Sequence, residues 1–350
     1  MAESRTTAKS NGIGNVSERR TGYQYSTIRS HPIEPTQPAS IGKKTYLSKA
    51  ACPDRLPTLM AKPAFPVFLA LLGNLLLASG TFLVAKFALE EIPVVDLATA
   101  RFVLATGFLL ILTLLSGNMR RIDKPDYKRL LLLGLLCVPL NQGLFLWGLS
   151  YTTPTHGAIL YSTVPIVVFL LAHFYLKEPF KWFKIAGIAL AFCGVVYIML
   201  EKGLKFETRY LFGDLLILLA VITWALYTVL GKPYLTKYGP PFLTFTAVAI
   251  GTVVFLPFGI IPTVQYDWSS VSTKTLLSLG YIAFLTSGIA YILWYYALSK
   301  MEASRVAVVN NFQPVVTALL SFAFYGERFS LGFVIAGIVV LIGVLLVEVA

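Results

Sequence analysis

Residues 149–180 read LSYTTPTHGAILYSTVPIVVFLLAHFYLKEPF, and residues 298–329 read LSKMEASRVAVVNNFQPVVTALLSFAFYGERF. At a constant offset of 149 and without a gap, nine of the 32 positions are identical, among them Pro165 with Pro314 and Glu178 with Glu327. A repeat at a fixed offset indicates a duplicated structural unit. In a very apolar chain, it favours a symmetric membrane protein whose functional site lies where the two copies meet.

The composition supports a membrane protein. The 350 residues are 56% hydrophobic and 13% charged, and the mean hydropathy is +0.72, whereas a soluble domain has about 25% charged residues. The net charge of +12 does not indicate nucleic-acid binding, because the basic residues outside the first 65 are concentrated in loops between apolar segments. The three cysteines and three histidines lie far apart, so we expect no disulfide framework, no metal site and no cofactor.

Ten segments are long and apolar enough to cross a bilayer as helices, which takes about 20 residues. They are residues 66–89, 94–115, 127–149, 154–176, 181–200, 211–231, 240–262, 274–298, 303–325 and 330–349. Because each copy would hold five helices, an odd number, the second copy must enter the membrane from the opposite face. The sequence therefore predicts an all-α integral membrane protein of ten transmembrane helices in two inverted five-helix repeats, residues 66–205 and 206–350.

The basic residues in the short loops predict the orientation. If the N-terminal side is inside, the inside loops carry 12 Lys or Arg residues and the outside loops carry five. We therefore expect both termini in the cytoplasm and the protein in the cell (inner or plasma) membrane. Residues 1–65 contain ten Lys or Arg and four Asp or Glu but no apolar run of spanning length, which predicts a disordered basic tail.

Polar side chains inside the predicted spans are the candidate substrate-binding residues, because an unpartnered polar group is unfavourable in lipid. Asn310, Asn311 and Gln313 form the densest cluster, and at 1.5 Å per residue Asn310 lies about 10 Å deep. They either join helices or line a substrate site, and the same alternatives apply to Asn141 and Gln142. The remaining candidates are Tyr161, Ser162, Trp224 and Tyr227.

Two prolines and four glycines occupy repeated positions. Pro165 and Pro314 each remove a backbone hydrogen bond in the middle of a span, and matched broken helices often mark transporter binding sites. They are therefore candidate gating residues, with static kinks as the alternative. The glycines of the last helix in each repeat form either a homodimer interface or close packing within the bundle; they are Gly187, Gly194, Gly337 and Gly343.

Charged and aromatic residues near the span ends lead to separate predictions. Lys86 is expected to snorkel outward toward Glu90 and Glu91. Arg101 is either interfacial, if its helix begins late, or it meets an anionic group of a substrate. The run Trp294, Tyr295 and Tyr296 is typical of an interfacial aromatic belt. No acidic residue lies near the centre of a span, so a carboxylate proton relay is not indicated.

These features resemble the EamA group of the drug/metabolite transporter superfamily over roughly residues 66–350. In that group, each of two five-helix repeats has a helix with a mid-span Pro and a terminal Glu, followed by a Gly-rich last helix. The stretch Ala100-Arg101-Phe102 is similar to the family's Arg-Phe in the second span. The doubled pattern consists here of Pro165, Glu178, Gly187 and Gly194, and of Pro314, Glu327, Gly337 and Gly343.

The resemblance implies a secondary carrier that exports amino acids or related small metabolites by alternating access. The implied partners are a small-molecule solute and the lipid bilayer. An enzyme is not expected, because the spans offer no nucleophile with a nearby base and no metal cluster. The alternative is a membrane scaffold or sensor that uses the basic tail for its interactions.

Overall fold

The structure is a computed structural model that describes residues 65–152, 154–201, 208–316 and 331–349. All regular elements in these residues are helical, so the predicted all-α class is confirmed there. The predicted tail up to residue 64, Glu327, and the second half of the ninth predicted span lie outside the described residues.

Six of the described helices are long and apolar enough to cross a membrane. They are α1 (Phe65–Glu91), α2 (Val94–Leu115), α3 (Lys124–Tyr151), α7 (Thr208–Tyr238), α8 (Pro240–Gln265) and α9 (Thr273–Lys300). The shorter helices are α4 (Pro154–Tyr161), α5 (Val164–Leu176), α6 (Trp182–Glu201), α10 (Ala303–Val308) and α11 (Leu331–Val349). The protein is therefore a multi-pass membrane protein, and ten spans stay a prediction.

Several helices depart from regular α geometry at mid-span. The fourth predicted span is broken at Ser162 and Thr163, so that Pro165 lies in the first turn of α5, where its missing N–H group is not needed. In the ninth predicted span, a 3₁₀ segment (Val309–Phe312) follows α10 and precedes Pro314. Two π-helical segments widen α3 at Leu136–Gly143 and α9 at Tyr281–Ala290. Pro139 accounts for the first of them, because a proline cannot donate the regular helical bond.

Gly187, Gly194 and Gly343 serve close packing between α6 and α11. A Cβ atom on Gly187 would lie 2.6 Å from the Gly343 carbonyl oxygen, and one on Gly194 would lie 3.0 Å from the Ala336 carbonyl oxygen. Small residues allow two backbones to approach each other in a membrane, where burying apolar groups gains little. Of the two alternatives, the structure supports packing for these residues, and the homodimer stays a prediction.

One expectation about residues at span ends is wrong, and a second residue has other partners than expected. Trp294 and Tyr295 are 1% and 0% exposed, so they form no interfacial belt; this part of α9 packs between α1 and α7. The ammonium group of Lys86 donates to the carbonyl oxygens of Leu149 (2.8 Å) and Thr152 (2.9 Å) at the end of α3, so its hydrogen-bond partners are not the expected Glu90 and Glu91. Carbonyl groups in the last turn of a helix lack helical partners, and they attract this cation.

Candidate functional site

A cavity of about 570 Å³, open solvent at its mouth included, lies within the helix bundle. Residues of α1, α2, α3, α4, α7, α9 and the segment after α10 line it, so both halves of the chain contribute. Five of the predicted substrate-binding residues are in this lining: Gln142, Tyr161, Trp224, Asn310 and Gln313.

The other four predicted residues are buried but do not line the cavity. Asn141 supports a lining residue, because its amide donates to the Tyr161 hydroxyl (3.1 Å) and to the Ala220 carbonyl oxygen (2.7 Å). Tyr227 is stacked on Tyr295, with 4.9 Å between the ring centroids. Ser162 and Asn311 are also buried. Asn141 and Tyr227 therefore serve to hold the wall of the cavity in place.

The 3₁₀ segment after α10 determines which amides reach the cavity. Residues three apart lie above one another in 3₁₀ geometry, and Gln313 donates through its amide to the side-chain oxygen of Asn310 at 3.2 Å. Both residues line the cavity. Asn311 is 0% exposed, and neither atom of its amide has a hydrogen-bond partner in the part of the chain that the structure describes. The polar cluster thus divides into a cavity-lining pair and one buried, unsatisfied amide.

Arg101 is the charged residue of the cavity. Its helix begins at Val94 and its side chain is 1% exposed, so the interfacial alternative is wrong. The Nε group donates to the Ser287 hydroxyl at 2.8 Å, and Nη2 donates weakly to the Thr286 hydroxyl at 3.5 Å. Nη1 has no partner. In the sequence, the position of Arg101 seven residues inside an apolar span indicated that it could line a cavity.

Aromatic rings form much of the remaining lining. Trp224 contacts Tyr291 and Trp294, with centroid distances of 5.1 and 5.7 Å. On another part of the wall, Phe82 and Phe145 pack edge to face with each other at 5.6 Å and with Tyr161. Sequence reasoning missed Phe82, Phe145 and Tyr291, because an aromatic residue inside an apolar span has no feature that separates cavity-facing from lipid-facing positions.

The π-helical segment of α9 also joins the cavity wall to α1. The amide nitrogen of Asn74 donates to the Ala290 carbonyl oxygen at 2.9 Å. Both residues line the cavity. Asn74 was likewise missed from the sequence, although it is a polar residue within the first predicted span.

Glu178 connects the two halves of the chain at one end of the bundle. Its carboxylate, between α5 and α6, accepts from Lys232 Nζ at 3.1 Å, from the Ala303 backbone N–H at 2.6 Å and from the Ser304 hydroxyl at 2.8 Å. Burial opposes its ionisation, but Lys232 and the donors at the start of α10 outweigh burial and hold the pKa of Glu178 below its ordinary value. Beside it, the buried Lys184 pairs with Glu302 at 2.5 Å.

The predicted gating prolines lie next to the helix breaks. Pro165 is buried two residues after the break between α4 and α5, and Pro314 lies two residues after the end of the 3₁₀ segment. Neither residue is in the cavity lining.

The family model described as the EamA-like transporter family matches residues 65–200 and again residues 211–349. An uncharacterized transporter from Archaeoglobus fulgidus is 32% identical over 274 residues, which are 78% of this chain and 94% of the relative. The uncharacterized transporter YyaM of Bacillus subtilis is 28% identical over 80% of this chain and 92% of its own length.

Two further matches bear on substrate and fold. A probable terminal-alkyne amino-acid exporter from Streptantibioticus cattleyicolor is 25% identical over 249 residues, which are 71% of this chain and 82% of that protein. A solved crystal structure has a TM-score of 0.66 at 17% identity, and the match covers 80% of this chain and 95% of the other. At this identity, the second match shows a shared fold.

Proposed function

Because the chain belongs to the EamA-like transporter family, we propose that it is a secondary transporter that exports amino acids or related small metabolites, and that the cavity is its substrate site. The observation that carries this proposal is a cavity within a membrane-spanning bundle whose polar lining comes from both halves of the chain. The similarity to a probable amino-acid exporter supports an amino-acid-like solute. As a membrane transporter, the protein acts on a small-molecule solute in a lipid environment.

We propose that ten transmembrane helices form two inverted repeats, residues 66–205 and 206–350. The family model matches the chain twice, once in each of these ranges. The irregular segments also recur, because π-helical turns occur in α3 and α9, and the break at Ser162 corresponds to Asn311 at the offset of 149. Paired discontinuous helices at a midplane site are typical of transporters built from inverted repeats.

Alternating access requires a contact that closes one side of the cavity while the other is open. The Glu178 cluster (Glu178, Lys184, Lys232, Glu302 and Ser304) is suited to this role, because it joins the α5–α6 connection to the start of α10 by charged hydrogen bonds. The loop charges predict this end to be cytoplasmic. We propose that the cluster closes the cytoplasmic side and that the breaks beside Pro165 and Pro314 allow the helices to move.

The charges of the loops support the proposed orientation and location: both termini lie in the cytoplasm, and the protein resides in the cell (inner or plasma) membrane. We also propose that the protein forms a homodimer and binds no nucleic acid.

Flux measurements in proteoliposomes test the proposed function. Full-length protein is compared with a chain lacking residues 1–59 and with N310A, over a panel of amino acids and related acids with and without a pH gradient. We expect the truncated chain to keep its flux and N310A to lose most of it. If no solute of the panel moves, the transport proposal is wrong. If no solute moves and residues 1–59 alone account for the activity of the protein, the alternative of a tail-dependent scaffold or sensor is favoured.

A further inference from the structure

We propose that the solute carries a carboxylate and that Arg101 binds this carboxylate in the cavity. The inference rests on the proposed function and specifies the class of its substrate. It starts from the combination of a buried guanidinium group in the lining and the absence of an acidic residue from the described part of that lining.

The charge of Arg101 has no counterion among the residues that the structure describes. No carboxylate of that part of the chain forms an ion pair with it; its side-chain hydrogen-bond partners are two neutral hydroxyl groups, and its guanidinium carbon lies 5.1 Å from the centroid of the Phe102 ring. An uncompensated charge at membrane depth is unfavourable and is retained where function needs it. An anionic group of the solute would supply the missing counterion.

The hydroxyl partners orient the guanidinium group without neutralising it. Ser287 and Thr286 both donate their hydroxyl protons to the Ile282 carbonyl oxygen, at 2.9 and 2.7 Å. Their oxygens therefore present lone pairs to Arg101, which holds Nε and Nη2 in a fixed orientation, while Nη1 has no hydrogen-bond partner among the described residues. An arginine held in this way is prepared to donate to a carboxylate oxygen, because the plane of its donors is already fixed.

The other residues of the lining indicate which further chemical groups of the solute the cavity favours. Trp224, Tyr291 and Trp294 offer apolar ring surface, and Asn310 and Gln313 offer neutral amides. No Asp or Glu of the described residues lines the cavity, so an ammonium group would have no ionic partner there. The site is therefore expected to select carboxylates with an apolar or aromatic body, to tolerate a zwitterion, and to reject an amine that lacks a carboxylate.

Ligand protection of the full-length protein tests this selectivity directly. Four matched compounds are added to the protein in nanodiscs: 3-phenylpropanoate, phenylalanine, 3-phenylpropanamide and phenethylamine. We expect the two carboxylates to raise the melting temperature and to bind at least about tenfold more tightly than the amide or the amine, as expected for a hydrogen bond to a charged group. Equal protection by phenethylamine, or protection by chloride or sulfate but by neither carboxylate, would overturn the inference. Absence of binding by both carboxylates would do the same.

Substitution of Arg101 tests whether this residue causes the preference for carboxylates. R101Q should weaken binding of 3-phenylpropanoate by roughly 10- to 100-fold while leaving 3-phenylpropanamide nearly unchanged, and R101K should retain part of the preference. T106V, on the same helix but outside the cavity lining, is the matched control. Unaltered carboxylate binding by R101Q contradicts the inference.

Binding and flux separate the two proposals. Carboxylate-selective binding without flux would contradict the transport function and leave the role of Arg101 intact. Flux of neutral or cationic solutes with carboxylates excluded would leave transport intact and contradict the role of Arg101.

Discussion

Lys86 and Lys232 make the same kind of contact in the two halves of the chain: each ammonium group donates to backbone carbonyl oxygens where a helix ends. Lys86 donates to the carbonyl oxygen of Thr152, just after α3, at 2.9 Å, and Lys232 donates to that of Met301, just after α9, at 2.7 Å. Thr152 and Met301 are themselves related by the offset of 149. The correspondence supports the proposed repeats from side-chain geometry, independently of sequence identity.

Removing the charge of Glu178 should destabilise the protein at neutral pH. E178Q loses the ion pair with Lys232 and weakens the bonds to Ala303 and Ser304, so we expect a loss of about 1–3 kcal/mol. Thermal unfolding in detergent at pH 7 measures this loss of stability. E90Q, a substitution of the same type at an exposed position, is the control and should change little.

The same residue predicts a pH dependence. Because the pKa of Glu178 is lower in the folded protein, its carboxylate contributes stability above the unfolded value of about 4.5, and this contribution is lost as the pH falls through the lowered folded pKa. Melting temperatures between pH 7 and pH 3 should therefore decline more steeply for the wild type than for E178Q. Parallel curves would show that Glu178 does not supply this dependence.

Two glycines should respond differently to the same substitution. G187A places a methyl group 2.6 Å from the Gly343 carbonyl oxygen, which should cost about 1–3 kcal/mol of stability. G337A is the matched control, because its nearest contact would be 3.9 Å away. Comparison of the two melting temperatures checks the packing of α6 against α11. A G187A protein as stable as G337A would argue against it.

Asn310 and Asn311 are expected to have opposite phenotypes. N310A removes a cavity-lining amide and should raise the KM for transport. N311L replaces a buried amide without partners by an apolar group of similar volume, which should leave stability unchanged or increase it. Transport kinetics and melting temperatures of both variants test whether Asn310 acts in transport and whether Asn311 is unsatisfied. A destabilised N311L would mean that the Asn311 amide is satisfied in the folded protein.

Cysteine labelling tests the orientation. In a background without native cysteines, D123C should react with an impermeant maleimide only from the cytoplasmic side, and S270C only from the outside. Both positions are exposed, in loops at opposite ends of the bundle by the predicted topology. The reverse pattern would invert the proposed topology.

The sequence predicted which segments are helical better than it predicted which way their side chains face. The apolar run 94–115 coincides with α2 (Val94–Leu115), since hydropathy alone defines its ends. Its inward face could not be predicted, because a helix that is apolar all round has no amphipathic pattern. Arg101 was therefore left with two alternatives, and Trp294 was placed at an interface although it is buried.

Neighbouring polar residues were separated by local backbone geometry that the sequence does not display. Gln142 lines the cavity whereas Asn141 supports Tyr161, and both lie in the π-helical segment of α3. Asn310 and Asn311 are divided in the same way by a 3₁₀ segment. The pattern of polar residues identified the region of the site, and the local pitch of the helix decided which member of each pair reaches it.

The wide turn of α9 has a consequence for Arg101. Ser287 reaches the Ile282 carbonyl oxygen across five residues, a spacing that belongs to π geometry. If this turn tightened to ordinary α pitch, the serine would donate to the carbonyl oxygen four residues before it, as Thr286 does now, and its own oxygen would change position relative to Arg101. The hydroxyl that orients the Arg101 guanidinium group is therefore placed by the pitch of this turn, so that a change of pitch there would change how the group is held.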